Sequence, residues 1–203
     1  MDETRYVDWV CRFWSDPAGI PPQSISAWER RHLALPRLLR IHFERFGLMS
    51  ALNGARWKVY PLEAMRLGDD ALWFAQNEQG SQEWGVPLRG LGAADPEVRA
   101  RSQVLAVSKL SEFLVDFALV NALFGRPKVR AASLEGLDLA TLACAWPLHP
   151  WRVERAWPVR LSGAVAVLDD GDDLVVSARS EQELVELLAA QGFSEADVRD
   201  AID

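Results

Sequence analysis

Residues 111–124 read Ser-Glu-Phe-Leu-Val-Asp-Phe-Ala-Leu-Val-Asn-Ala-Leu-Phe, a helical length with almost no polar face. A helix on a protein surface keeps one apolar stripe and leaves the rest polar, whereas one that is apolar nearly all round has to be enclosed by other elements. The pattern predicts a helix opened at Ser111, closed at Gly125 and buried centrally, with the fold built around it.

The enclosing elements are signalled on both sides. Leu72-Trp73-Phe74 and Trp84-Gly85-Val86 flank a polar connector, Gln76 to Glu83, that contains Gly80. Aromatic and β-branched runs on either side of a glycine-bearing turn predict paired antiparallel strands. Residues 56–62 read as a short strand or extended lead-in, 63–67 as one helical turn, 87–96 as a loop and 98–107 as holding an edge strand. Further on, Ala164-Val165-Ala166-Val167-Leu168, an Asp-Gly turn and Leu174-Val175-Val176 predict a second hairpin.

Helices are predicted at both ends of the chain. Tyr6, Val7, Trp9, Val10, Phe13 and Trp14 fall at helical spacing, and Asp16 to Pro22 form a proline-rich link. Ser26 with Glu29 reads as a capping box that starts a second helix there. Pro36 suits the first turn of a third, which Gly47 stops. Ser180 with Glu183 predicts a helix over 181–191, and 194–202 a last short one. The expected fold class is α+β, a small, mostly antiparallel sheet with helices packed on one side. Residues 1–23 are expected to form an N-terminal helix and proline-rich link and 24–203 the α+β domain, the whole making one compact domain.

Nine tryptophans, at 9, 14, 28, 57, 73, 84, 146, 151 and 157, are spread along the 203 residues. Most are expected in the core and two or three at a binding surface, where tryptophan is enriched. Trp146-Pro147, Pro150-Trp151 and Trp157-Pro158 predict an extended segment lying along a surface. The net charge of −7 is uneven: from Asp169 onward eleven acidic residues face only Arg179 and Arg199, while residues 1–168 carry 18 acidic and 20 basic residues. Such an acidic end repels nucleic acid and attracts basic partners. The first residues, Met-Asp-Glu-Thr-Arg-Tyr, lack the basic-then-apolar pattern of a signal peptide, and no apolar run reaches the roughly 20 residues of a membrane helix. A cytoplasmic bacterial protein, bound to neither membrane nor nucleic acid, is expected.

Catalytic patterns are missing. The three histidines do not converge, and Cys11 and Cys144 fit no metal or redox spacing. The turn Asp169-Asp170-Gly171-Asp172-Asp173 lacks the alternating ligands and closing glutamate of a calcium loop. No phosphate-cradling glycine loop and no nucleophile elbow occurs. Glu78 and Glu83 flank the connector and read as solvated rim groups rather than an acid–base pair. The chain therefore reads as a binding protein with no cofactor and no metal.

Leu35-Pro36, Phe46-Gly47, Leu72-Trp73-Phe74, Asn77-Glu78-Gln79-Gly80, Trp84-Gly85-Val86, Asp95-Pro96-Glu97-Val98 and Leu110-Ser111-Glu112-Phe113-Leu114 occur in an order that resembles the SUKH superfamily. The resemblance covers residues 24–125 well and the rest loosely; residues 1–23 and 146–158 depart from it. SUKH proteins are small α+β proteins, many of them bacterial immunity proteins against polymorphic toxins. The resemblance implies a sheet with helices on one side and a face or groove that covers a cognate toxin, with no catalysis. For a basic, nuclease-type toxin the steering residues would be Asp169, Asp170, Asp172, Asp173, Glu181, Glu183 and Glu186. Asn77, Glu78, Gln79 and Glu83 would join them in the interface, with Trp84 as an aromatic anchor. A regulatory or scaffold domain with an endogenous partner is the alternative, and a pocketed small-molecule binder or enzyme the third reading.

Overall fold

The computed structural model describes residues 3–68, 70–101, 106–130, 159–162, 165–169, 174–190 and 192–202. Four helices come first: α1 Glu3–Phe13, α2 Pro22–Arg31, α3 Arg37–Phe46 and the short α4 Ser50–Gly54. Six strands come next: β1 Trp57–Val59, β2 Arg66–Leu67, β3 Ala71–Asn77, β4 Glu83–Pro87, β5 Glu97–Ala100 and β6 Ala106–Lys109. The long α5 Leu110–Gly125 leads to β7 Lys128–Arg130, β8 Val159–Ser162, β9 Val165–Asp169 and β10 Leu174–Ser177, then α6 Glu181–Ala189 and α7 Glu195–Ala201. The fold is α+β, and every strand pair among the described residues is antiparallel.

Among the described residues the strands form two sheets rather than one. The first has the order β1-β3-β4-β5-β6, with β2 beside β3; the second has the order β7-β10-β9-β8. Within 98–107, expected to hold an edge strand, residues 98–100 belong to β5 and 106–107 to β6, and these two strands pair with each other. Strand β7 was invisible to pattern reading, because Lys128-Val129-Arg130 has a single apolar residue and looks like a basic surface cluster.

Helix α5 lies between the sheets, as its all-round apolarity requires. Phe113 packs edge-on against Phe74 at 5.3 Å between ring centroids and lies 5.4 Å from Trp84 and 5.8 Å from Trp57. On the other side Ser177 Oγ, from β10, donates to the Ala122 carbonyl at 3.0 Å. The helix starts at Leu110, where Glu112 accepts from the Lys109 N–H and Asp95 accepts from both the Ser111 N–H and hydroxyl. Buried Asn121 ties β1 to it: its Oδ1 accepts from the Arg56 and Trp57 N–H groups, and its Nδ2 donates to the Leu52 and Trp57 carbonyls. Helix α1 packs on the same core, with Trp14 Nε1 donating to the Ala118 carbonyl.

Helix α2 begins at Pro22, four residues before the expected start. A proline at the first helical position has its φ preset and lacks only an N–H that would go unbonded anyway, so it overrides the internal serine. Ser26 and Glu29 serve the contact with α3 instead: Glu29 accepts from the Leu35 N–H and pairs with Arg40, whose Nη2 donates to Ser26 Oγ. Ser180 does cap its helix, accepting from the Glu183 N–H.

One polar relay crosses the core. Asn53 Nδ2 donates to the Phe46 carbonyl, so its Oδ1 accepts from His42 Nε2 at 2.7 Å. His42 Nδ1 is then the acceptor for the Tyr6 hydroxyl, also at 2.7 Å. Burial pushes the imidazole down to about 4, against the Asn53 hydrogen bond that favours its charged form, so it is neutral at pH 7.

Candidate functional site

The two faces of the first sheet differ because of one irregularity. Trp73 lies opposite Gly85, whereas Ala75 lies opposite Trp84, so the register shifts between them. An extra residue in a strand turns the residues after it to the other face. Here it lets Phe74 and Ala75 both join the core, and it brings Trp73 and Gln76 to the same outer face.

Two cross-strand rows result on that face. Arg66, Trp73, Gly85 and Arg99 line up across β2, β3, β4 and β5. Lys58, Gln76 and Glu83 line up across β1, β3 and β4, and Arg101 continues the row through its N–H bond to the Glu83 carbonyl. The Trp73 indole lies on Gly85, where a Cβ would come 2.6 Å from Trp73 Cε3 and 2.8 Å from the Leu72 carbonyl oxygen. Only glycine admits the ring there. The guanidinium groups of Arg99 and Arg101 lie over the ring at 5.3 and 5.6 Å from its centroid, within cation–π range. Arg99 also pairs with Asp70.

Beside Trp73, Glu83 anchors a polar cluster. Its side chain is only 8% exposed, yet it pairs with Arg66 through Oε1 and Arg101 through Oε2. The Tyr60 hydroxyl lies 2.6 Å from the same Oε1 and 2.8 Å from Gln76 Oε1. Burial alone would raise the Glu83 carboxyl, but the Tyr60 hydroxyl and the two guanidinium groups outweigh it and hold Glu83 below the usual carboxylate range. Tyr60 shifts the opposite way, raised by burial and by its bond to Glu83. The arginines remain 55% and 59% exposed. Two guanidinium groups over one carboxylate leave a surplus positive charge facing outward, in a protein of net charge −7.

Tyr60 and Gln76 also form the polar end of a groove of about 520 Å³, which runs between β1 and the turn joining α3 to α4. Its walls are mainly apolar, from Phe43, Leu48, Met49, Val59 and Pro61, and Leu48 is 63% exposed. Asn53 in the same wall is the end of the His42 relay.

The residues expected from the sequence are placed differently. Trp84 is 2% exposed and packs 4.8 Å from Trp57, so it is part of the core and cannot serve as a surface anchor. Glu83 is a buried, doubly paired carboxylate rather than a solvated rim group. Asn77 shapes the β3–β4 turn: its Oδ1 accepts from the Gln82 N–H, its Nδ2 donates to Ser81 Oγ, and its carbonyl accepts from the N–H of Gly80, at φ +68°. Glu78 pairs with Arg56 at 3.0 Å, and Glu78 and Gln79 border a cavity of only about 70 Å³. Glu181 pairs with Arg199, Glu183 with Arg179, and Glu186 accepts from Gln182, so α6 is more neutral than its sequence suggests. Asp169 ends strand β9, and Asp170, Asp172 and Asp173, like Trp146, Trp151 and Trp157, lie outside the described residues.

Tyr60, Arg66, Arg99 and Arg101 were not singled out by sequence. The available signal was Arg99 and Arg101 two apart in a strand, which places both on one face. Among the described residues no group of three His, Cys, Asp or Glu side chains could hold a metal ion, and no helix is long and apolar enough to cross a membrane. Compared with known proteins, the chain matches no family model, no curated protein and no solved structure.

Proposed function

We propose that this protein is a bacterial immunity protein, which neutralises a cognate protein toxin by stoichiometric occlusion through the outer face of the first sheet and the adjoining groove. The observation that carries a binding role is the Glu83 cluster: two exposed guanidinium groups held in place by one buried carboxylate, at the mouth of an apolar groove. Arginine, tyrosine and tryptophan are the residues on which binding energy concentrates, and fixing their geometry beforehand lowers the ordering cost of association. Within the cluster the polar groups position one another: the Tyr60 hydroxyl reaches Glu83 and Gln76 and accepts from Arg66. The toxin as the partner rests on the resemblance to the SUKH superfamily.

A survival assay tests this reading. The C-terminal domain of the open reading frame next to this gene is induced in a heterologous host with and without the protein. Rescue together with co-elution at one-to-one stoichiometry is the expected result. Toxicity without rescue would reject the immunity role and favour an endogenous partner.

A further inference from the structure

We propose that the outer face takes an extended acidic segment of its protein partner, with an apolar side chain seated in the groove and an Asp or Glu carboxylate on Arg66 and Arg101. The inference deepens the binding role proposed above and rests on it.

Three observations fix the chemistry of the occupant. The groove end formed by Tyr60 and Gln76 is one hydrogen bond from the arginines, since Arg66 Nη2 donates to the Tyr60 hydroxyl at 2.6 Å. One ligand can therefore span both. Among the described residues Arg66 bonds only through Nη2 and Arg101 only through Nη1, so each guanidinium keeps further N–H donors for a second carboxylate. The charges are complementary to an acid: Lys58, the one charged residue of the groove wall, adds to the surplus on the Glu83 cluster. A basic segment would meet repulsion from all three side chains. A nucleic acid would gain from the arginines but has no use for the apolar wall of Leu48, Met49 and Pro61.

The edge position of β1 argues for an extended chain rather than a helix. Strand β1 is the edge of its sheet, and the Tyr60 N–H bonds to the Phe74 carbonyl on the β3 side. Backbone groups in an antiparallel strand alternate sides, so Trp57 and Val59 point theirs outward. Asn121 closes the Trp57 rung. Val59, in the groove wall, offers the next rung to an incoming strand.

The test is selection of a random twelve-residue peptide library on the full chain, followed by fluorescence anisotropy of the enriched peptides. The expected peptides share an apolar residue close to Asp or Glu. Arg66→Gln with Arg101→Gln should weaken them about tenfold or more, as truncating one side of a charge-paired contact does. Because that double variant leaves Glu83 buried without its partners, exposed Leu48→Ser provides a second reading at the apolar end, where weaker binding is expected without loss of fold. No enrichment, enrichment without an acidic residue, or indifference to both variants would overturn the proposal. So would arginine-dependent binding of a twelve-nucleotide single-stranded DNA in the absence of any peptide consensus. A failed selection alongside toxin rescue overturns this occupant and keeps the immunity role. A successful selection without rescue supports the occupant and removes the toxin.

Discussion

Trp73 and Trp84 sit on neighbouring strands, one register position apart, and both are buried, yet they belong to different kinds of surface. Trp84 faces α5, against Trp57 and Phe113 in the apolar core. Trp73 faces the other way, on a glycine and under two guanidinium groups. A ring covered by protein that cannot rearrange is structure. A ring covered by exposed, charged side chains is a foundation for a binding surface. The same division separates two of the buried ionisable groups: His42 is kept neutral on the core side, and Glu83 is kept charged on the outer face.

The largest expected effect breaks the core member of the first pair. Trp84→Ala should destabilise the protein by about 4 kcal/mol, since the surrounding aromatic rings cannot collapse into the cavity. Trp73→Ala should cost about half as much, because Arg99 and Arg101 can rehydrate and settle onto the sheet. Urea denaturation of both variants, compared at equal m-values, measures the difference. Equal costs would mean that the outer face is as fixed as the core.

Next in size is the pH response, which separates His42 from Glu83. The folded imidazole titrates at about 4 and an unfolded one near 6.5. The unfolded chain therefore binds the proton first. Stability from neutral His42 is complete above pH 6.5 and is lost as pH falls toward 4, by about 3 kcal/mol. Glu83, held below its usual range, contributes stability that is present above the unfolded carboxylate value and is lost as pH falls through its folded one. Its loss therefore comes at lower pH than the onset of the His42 loss. Thermal melts of the wild type from pH 7 to 3 should fall steadily, and His42→Gln should flatten the slope above pH 4 while leaving the more acidic loss in place.

The elements governed by periodicity were legible from sequence, and those governed by register were not. Residues 111–124 announce a central helix because no face of that helix can meet water, and the first hairpin is announced by its aromatic runs. Arg66, Glu83 and Arg101 meet because β2, β3, β4 and β5 pair in a particular alignment with a bulge after Trp73. No window of sequence contains that alignment. Position in the strand also decided the fate of the residues that were named: Glu83 and Trp84 are consecutive, so one had to point outward and the other inward. The sequence marked the stretch but left the choice between the faces to the bulge.

The smallest expected effect tests whether Glu83 is held by the arginines alone. Tyr60→Phe keeps the ring in the groove and under Arg66, which lies 5.1 Å from its centroid, and deletes only the hydroxyl. The stability cost should be about 1 kcal/mol, that of one hydrogen bond to a carboxylate still paired elsewhere. The informative readout is the Glu83 carboxyl itself, followed by carbon-13 NMR. With the hydroxyl gone, burial is opposed only by Arg66 and Arg101, both half in solvent, and the carboxyl should titrate closer to its usual range. An unmoved titration would mean that the guanidinium groups suffice. Tyr60 would then act on a partner through its ring in the groove, not through its part in the cluster.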